Sequence, residues 1–161
     1  MEKKNALFLT QAAMIAALYV VLTYIANLFG LASGVIQIRL SEMLCILPVF
    51  TPAAIPGLFI GCLLSNILTG CVIWDIIFGS LATLAGAVGT YLLRNHRFVF
   101  TLPPVAANMI VVPLVLQYAY GVPDAIWYLA VTVGAGEVIS ICILGMLLYK
   151  LLYRQRKAIF K

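Results

Sequence analysis

The sequence predicts an all-α integral membrane protein: a single domain over residues 1–161 in which six transmembrane helices form one bundle, with a ligand pocket at its external side. Three observations carry this. Hydrophobic residues make up 65% of the chain and charged residues only 9%, against about 25% charged in a soluble domain. The apolar runs reach the roughly 20 residues that a helix needs to cross about 30 Å of hydrocarbon. They also lack the two-residue alternation of a membrane barrel strand.

The first span is expected at Ala6–Phe29, after the basic start Met1-Glu2-Lys3-Lys4. That apolar run is too long for a signal-peptide core and has no clear small-residue cleavage site, which predicts no cleavable signal. Ala12, Ala13, Ala16 and Ala17 form two overlapping small-xxx-small pairs, and such a face lets another helix approach closely. It fits either the protein's own spans or a partner protein. Gly30 to Leu40 is the first external connection, broken by Gly30, Ser33 and Gly34, with residues 35–39 extended; such a loop can act as a lid. A short second span follows from Leu40 to Phe50, ended by Pro48 and Pro52.

The third span, Ile55–Thr69, carries the GxxxG pair Gly57 and Gly61, with Asn66 near its far end, and 70–72 is a tight turn. The fourth, Ile73–Leu93, opens on Trp74-Asp75 and shows a small face of Gly79, Ala82, Gly86 and Gly89, which suits the middle of a bundle. Residues 94–97 are a basic loop. The fifth span, Phe98–Tyr118, has Pro103 and Pro104 in its first turns, where proline costs least, and Asn108 and Pro113 inside. Tyr118 to Asp124 is a further external loop. The sixth span, Ala125–Tyr153, holds Glu137 at mid-depth and leads into the basic tail 154–161.

Alternation of six spans places Lys3, Lys4, Arg94, Arg97, Lys150, Arg154, Arg156, Lys157 and Lys161 on one side and Arg39 alone on the other. Because cytoplasmic flanks carry an excess of Lys and Arg, both termini are expected in the cytoplasm of a multi-pass cell-membrane protein. The net charge of +5 then reflects topology and not nucleic-acid binding. The same sorting leaves Glu42, Asp75 and Asp124 at the outer surface and Glu137 inside the membrane. A carboxylate at a helix centre costs about 2.5–3.5 kcal/mol on insertion scales, so it needs a partner or a purpose.

The outer half of the bundle is therefore expected to be polar inside. Arg39, Glu42, Asn66, Asp75, Asn108, Gln117 and Glu137 are candidate lining residues, and Trp74 and the tyrosines offer stacking faces. A flat, hydrogen-bonding or cationic small molecule suits such a pocket. Plainer roles remain open for each. Arg39 and Glu42 can form an interfacial salt bridge, and Glu137 can bond to Asn108 or a serine. Asp75 and Asp124 can serve helix starts, and the asparagines can hold helices together. The four cysteines, Cys45, Cys62, Cys71 and Cys142, show no CxxC spacing and are expected as free thiols. No metal or other cofactor is expected. Walker, GxSxG and HExxH motifs are absent from the sequence, which argues against an enzyme and against a pump that carries its own ATPase.

Three blocks carry a resemblance: residues 38–42 (Ile-Arg-Leu-Ser-Glu), residues 47–62 (LPVFTPAAIPGLFIGC) and residues 74–83 (WDIIFGSLAT). With Gly136-Glu137 they resemble the QueT family over most of the chain. QueT proteins are similar to the substrate-binding S components of energy-coupling factor (ECF) transporters for queuosine precursors such as 7-aminomethyl-7-deazaguanine. The resemblance implies a non-catalytic binding subunit that works with a transmembrane coupling protein and two ABC ATPases. It also implies contact with the coupling protein through the alanines at 12–17, and site roles for Arg39, Glu42, Asn66, Asp75 and Glu137. On this reading Asp75 meets the amine, Glu42 or Glu137 meets the ring, and Arg39 holds the lid or orients Glu42. The alternatives are an S component for another vitamin-like heterocycle, a stand-alone proton-coupled carrier using Glu137, or a structural membrane subunit that binds no small molecule.

Overall fold

A computed structural model describes residues 2–31, 36–96 and 98–159 of the chain. The expected helix breakers Ser33 and Gly34, Val35 of the extended stretch, Arg97 of the basic loop and Lys161 of the tail lie outside the described residues. Within them every regular element is helical: α1 (Glu2–Leu28), a 3-10 helix (Leu40–Val49), α2 (Ala54–Leu68), α3 (Ile73–Leu92), a 3-10 turn (Val99–Thr101), α4 (Leu102–Tyr118) and α5 (Ile126–Glu137). Alpha-helix α5 continues through a π-helical stretch (Val138–Gly145) into α6 (Met146–Ile159).

Among the described residues four helices are long and apolar enough to cross a membrane: Lys4–Leu28, Ile73–Leu92, Val99–Tyr118 and the continuous rod Ile126–Arg156. The expected second and third spans are shorter. The ten residues of Leu40–Val49 reach only about 20 Å at 3-10 rise, and the fifteen of α2 about 22 Å. The first of these was expected as an ordinary α-helix. Its tighter winding of three residues per turn aligns every third side chain, so Glu42 and Cys45 stand on one line. Pro48 within it supplies no N–H in either helical form.

Small residues set the packing, because lipid gives helices no hydrophobic reason to associate and close contact must supply the attraction. A Cβ at Gly57 would lie 2.7 Å from the Ala12 carbonyl oxygen, and one at Gly61 would lie 2.7 Å from the Tyr19 Cβ and 3.0 Å from the Ala16 backbone. The order of these contacts makes α1 and α2 parallel, so the 3-10 helix between them runs back. On α3, Gly86 abuts Pro104 and Gly89 abuts Pro103, while Gly134 of α5 takes the Met109 side chain of α4; both pairs are antiparallel. Chain direction thus reverses from rod to rod, which puts Glu2 and Ile159 at one end of the bundle. The 3-10 helix is the most enclosed element, with Ser41, Glu42 and the run Leu44 to Pro48 all buried.

Candidate functional site

A cavity of about 350 Å³ opens at the end of the bundle away from the chain's ends. Its wall draws on the last turns of α1 and α2, the first turn of α3 and the segment after α4, and includes Tyr19, Gln37, Arg39, Asn66, Asp75 and Tyr120. These are the places where the chain leaves and re-enters the bundle, which is why polar groups collect there. The volume falls in the range of about 300–1,000 Å³ typical of small-molecule sites.

Asp75 is buried in the first turn of α3. The Tyr120 hydroxyl donates to its Oδ2 at 3.0 Å and accepts the Val72 N–H at 3.4 Å, which ties the loop after α4 to the start of α3. Burial of the hydroxyl, then the neighbouring Asp75, pushes the Tyr120 phenol above its ordinary value, so it stays the donor. Asn66 Nδ2 donates to the Asp75 carbonyl oxygen at 3.3 Å. A Cβ at Gly79 would stand 3.0 Å from Asp75 Oδ1 and 3.3 Å from Asn66 Nδ2, so glycine there leaves both side chains their room.

Arg39 lies on the same wall. The acids whose charges act on it are, in decreasing order, Asp75, Glu137 and Glu42, yet among the described residues none of them forms an ion pair with it. The salt bridge that its i, i+3 spacing to Glu42 allowed is therefore not made. Glu42 instead turns inward, wholly buried, where its Oε1 accepts the Tyr19 hydroxyl and its Oε2 accepts the Cys45 thiol at 3.0 Å. Glu137 is buried too. Asn108 Nδ2 donates to its Oε1 at 2.9 Å, while its Oε2 has no hydrogen-bond partner. A Cβ on the preceding Gly136 would collide with the Gln37 carbonyl oxygen, so the segment carrying Gln37 and Arg39 rests directly on α5.

The expected site residues thus separate into two layers. Arg39, Asn66 and Asp75 wall the cavity; Glu42, Glu137 and Asn108 lie outside its wall, inside the bundle. Trp74 belongs to neither. It is 55% exposed, stacks on Phe78 with ring centroids 5.9 Å apart, and borders an apolar groove on the outside of the bundle, because neighbouring residues on a helix point about 100° apart. Gln117 also lies outside the cavity wall. Asp124 does not cap α5: it is exposed, and Ala125 holds the N-cap position without a side-chain bond.

The alanines divide as well. Ala12 and Ala16 are buried against Gly57 and Gly61, whereas Ala13 and Ala17 are exposed. Cys45 and Cys62 are buried, Cys71 and Cys142 half-buried, and all four are free thiols. Tyr19 and Tyr120 are the polar partners that composition and topology missed. A signal for Tyr19 was present, since it shares a helical face with Ala12, Ile15 and Ala16 at spacings of three, four and seven. Tyr120 carried none beyond its place in a loop and its ring as one of the stacking faces.

The chain can be set beside known proteins on this geometry. A family model described as QueT transporter matches residues 9–154. The queuosine precursor transporter QueT of Lactococcus lactis subsp. cremoris (strain MG1363) is 39% identical over 84 residues, 52% of this chain and 49% of that protein. The matched stretch thus spans about half the length of that relative. No solved structure matches significantly. With nearly the whole chain inside the family model, from α1 to the basic end of α6, this protein belongs to the QueT transporter family.

Proposed function

We propose that the chain is the substrate-binding membrane subunit of an ECF-type importer, and that it captures a queuosine precursor, 7-aminomethyl-7-deazaguanine or a close relative, from outside the cell. The observation that carries this is the polar cavity holding one cation and one carboxylate, Arg39 and Asp75, at one end of an otherwise apolar bundle. A deazaguanine presents an acceptor, its ring carbonyl, beside N–H donors, and the aminomethyl group adds a cation. Arg39 supplies donors to the carbonyl, the amide oxygens of Gln37 and Asn66 accept the ring N–H groups, and the Asp75 carboxylate is left for the aminomethyl cation.

The name of the Lactococcus relative points to the same ligand class. Nine of the ten Lys and Arg residues fall at the end opposite the cavity when the spans alternate, which makes that end cytoplasmic and the cavity external. Transport energy then comes from a coupling protein and two ABC ATPases, for which the sequence has no motif of its own. Ala13 and Ala17 offer the exposed small-residue face on which a coupling helix packs.

The test is uptake by liposomes holding the chain with and without the coupling module. ATP-dependent uptake of labelled 7-aminomethyl-7-deazaguanine only with the module, abolished by Ala13→Leu with Ala17→Leu, is the expected result. No uptake in either preparation sinks the proposal. Uptake by the chain alone, driven by a proton gradient and lost in Glu137→Gln, would favour a secondary carrier, the reading to which the unpartnered Glu137 Oε2 lends itself.

A further inference from the structure

Of the buried acids among the described residues, only Asp75 stands in the cavity wall. Its Oδ2 holds the Tyr120 hydroxyl at 3.0 Å, and no described residue donates a hydrogen bond to its Oδ1. Gly79 keeps the space beside Oδ1 clear. Glu42, by contrast, has both oxygens occupied by Tyr19 and Cys45. Arg39 faces the same cavity without pairing to Asp75, so the complement of each charge is left to whatever enters. A carboxylate with a spare oxygen in a half-enclosed site favours an ammonium over a neutral group of similar size, because charged hydrogen bonds are roughly twice as strong as neutral ones.

We infer that Asp75 is the subsite that reads the charge of the ligand's exocyclic group, so that the protein selects protonated 7-aminomethyl-7-deazaguanine over neutral 7-cyano-7-deazaguanine. This rests on the reading of the cavity as a queuosine-precursor site. The two ligands share the ring and differ in the group at one carbon, so Arg39 and the other ring contacts treat them alike. Discrimination falls to the group that meets the substituent. Asp75 also sits where an acid favours the start of a helix, but that role would stabilise the fold without telling the two ligands apart.

Calorimetric titration of the purified full chain with each ligand tests the assignment. The wild type is expected to bind the amine at least tenfold more tightly than the nitrile. Asp75→Asn is expected to bring the two within threefold while leaving nitrile affinity nearly unchanged. Equal binding of both by the wild type overturns this inference alone. So does an Asp75→Asn variant that weakens both ligands by the same factor. If neither ligand binds the wild type, the inference falls together with the reading beneath it. Should Asp75→Asn fail to fold, Tyr120→Phe serves instead. It removes the competing hydroxyl and leaves the carboxylate, so the amine preference must hold or rise, and a fall to parity overturns the inference.

Discussion

Gly136→Ala tests how the cavity wall at Gln37 and Arg39 is held. The added Cβ would press into the Gln37 carbonyl oxygen and stand 3.0 Å from its carbon. Restoring an ordinary C···O separation of about 3.3 Å moves the segment by about 1 Å. The obstacle is backbone, so no rotamer change relieves it. Alanine improves helix propensity by about 0.8–1.0 kcal/mol, while overpacking costs about 1–3 kcal/mol. The bundle should therefore stay folded while the segment lifts. The Ile38 N–H donates to the Leu31 carbonyl at 2.9 Å, a bond contributing about 0.5–1.5 kcal/mol, so its loss raises amide exchange at Ile38 up to about tenfold. Displacing Gln37 and Arg39 should also weaken ligand binding by tenfold or more. Gly134→Ala is the control: there the nearest atoms are Met109 Sδ and Cε at 2.8 and 2.9 Å, the mobile end of a flexible side chain that can swing aside. Hydrogen exchange read by mass spectrometry on the folded variants decides it. Exchange at Ile38 within twofold of wild type in Gly136→Ala would refute the argument, with or without a ligand in hand.

Other outcomes follow from the same contacts. Tyr19→Phe strips Glu42 Oε1 of its donor and should cost about 1–3 kcal/mol, seen as a lower melting temperature in detergent. Gly61→Leu drives a side chain into Tyr19 and Ala16 and should destabilise by about 1–3 kcal/mol; Ala17→Leu, on the exposed side, should stay within about 0.5 kcal/mol. Asn108→Leu removes the donor to Glu137 and should cost about 1–3 kcal/mol, whereas Glu137→Gln keeps an acceptor for Asn108 and should cost less in the same denaturation series. The Tyr120 phenol is raised in the folded state, so its contribution is complete below the unfolded value of about 10 and declines as pH rises beyond it. Tyr120→Phe should flatten the wild-type stability profile above pH about 10.

What the sequence made legible was the set of helical rods; what it hid was the way their side chains face. Hydropathy defines the rods and their order, and the glycine spacing at 57 and 61 marks where α2 must meet a neighbour. Which face of a small-residue run is used cannot be read from spacing alone: the four alanines at 12–17 look equivalent until Gly57 and Gly61 take two of them. Trp74 and Asp75 are adjacent in sequence and end on different sides of α3. Glu42 looked like a rim residue because it opens an apolar run, yet the 3-10 winding turns it inward beside Cys45. Arg39, expected to serve the lid or Glu42, borders the cavity without pairing to that acid.

The enclosed 3-10 helix bears on how the protein is made. At about 20 Å, Leu40–Val49 is too short to partition into the bilayer as an independent stop, and Glu42 in hydrocarbon before its partners arrive carries the insertion penalty of about 2.5–3.5 kcal/mol. Synthesis runs from the N-terminus, so α1 with Tyr19 precedes it, and α2 with the close contacts at Gly57 and Gly61 follows within five residues of Val49. Residues 40–68 should then enter as a hairpin against an α1 already in place. A chain truncated after Val49 should release its last segment from the membrane, while one extended past Leu68 should retain it.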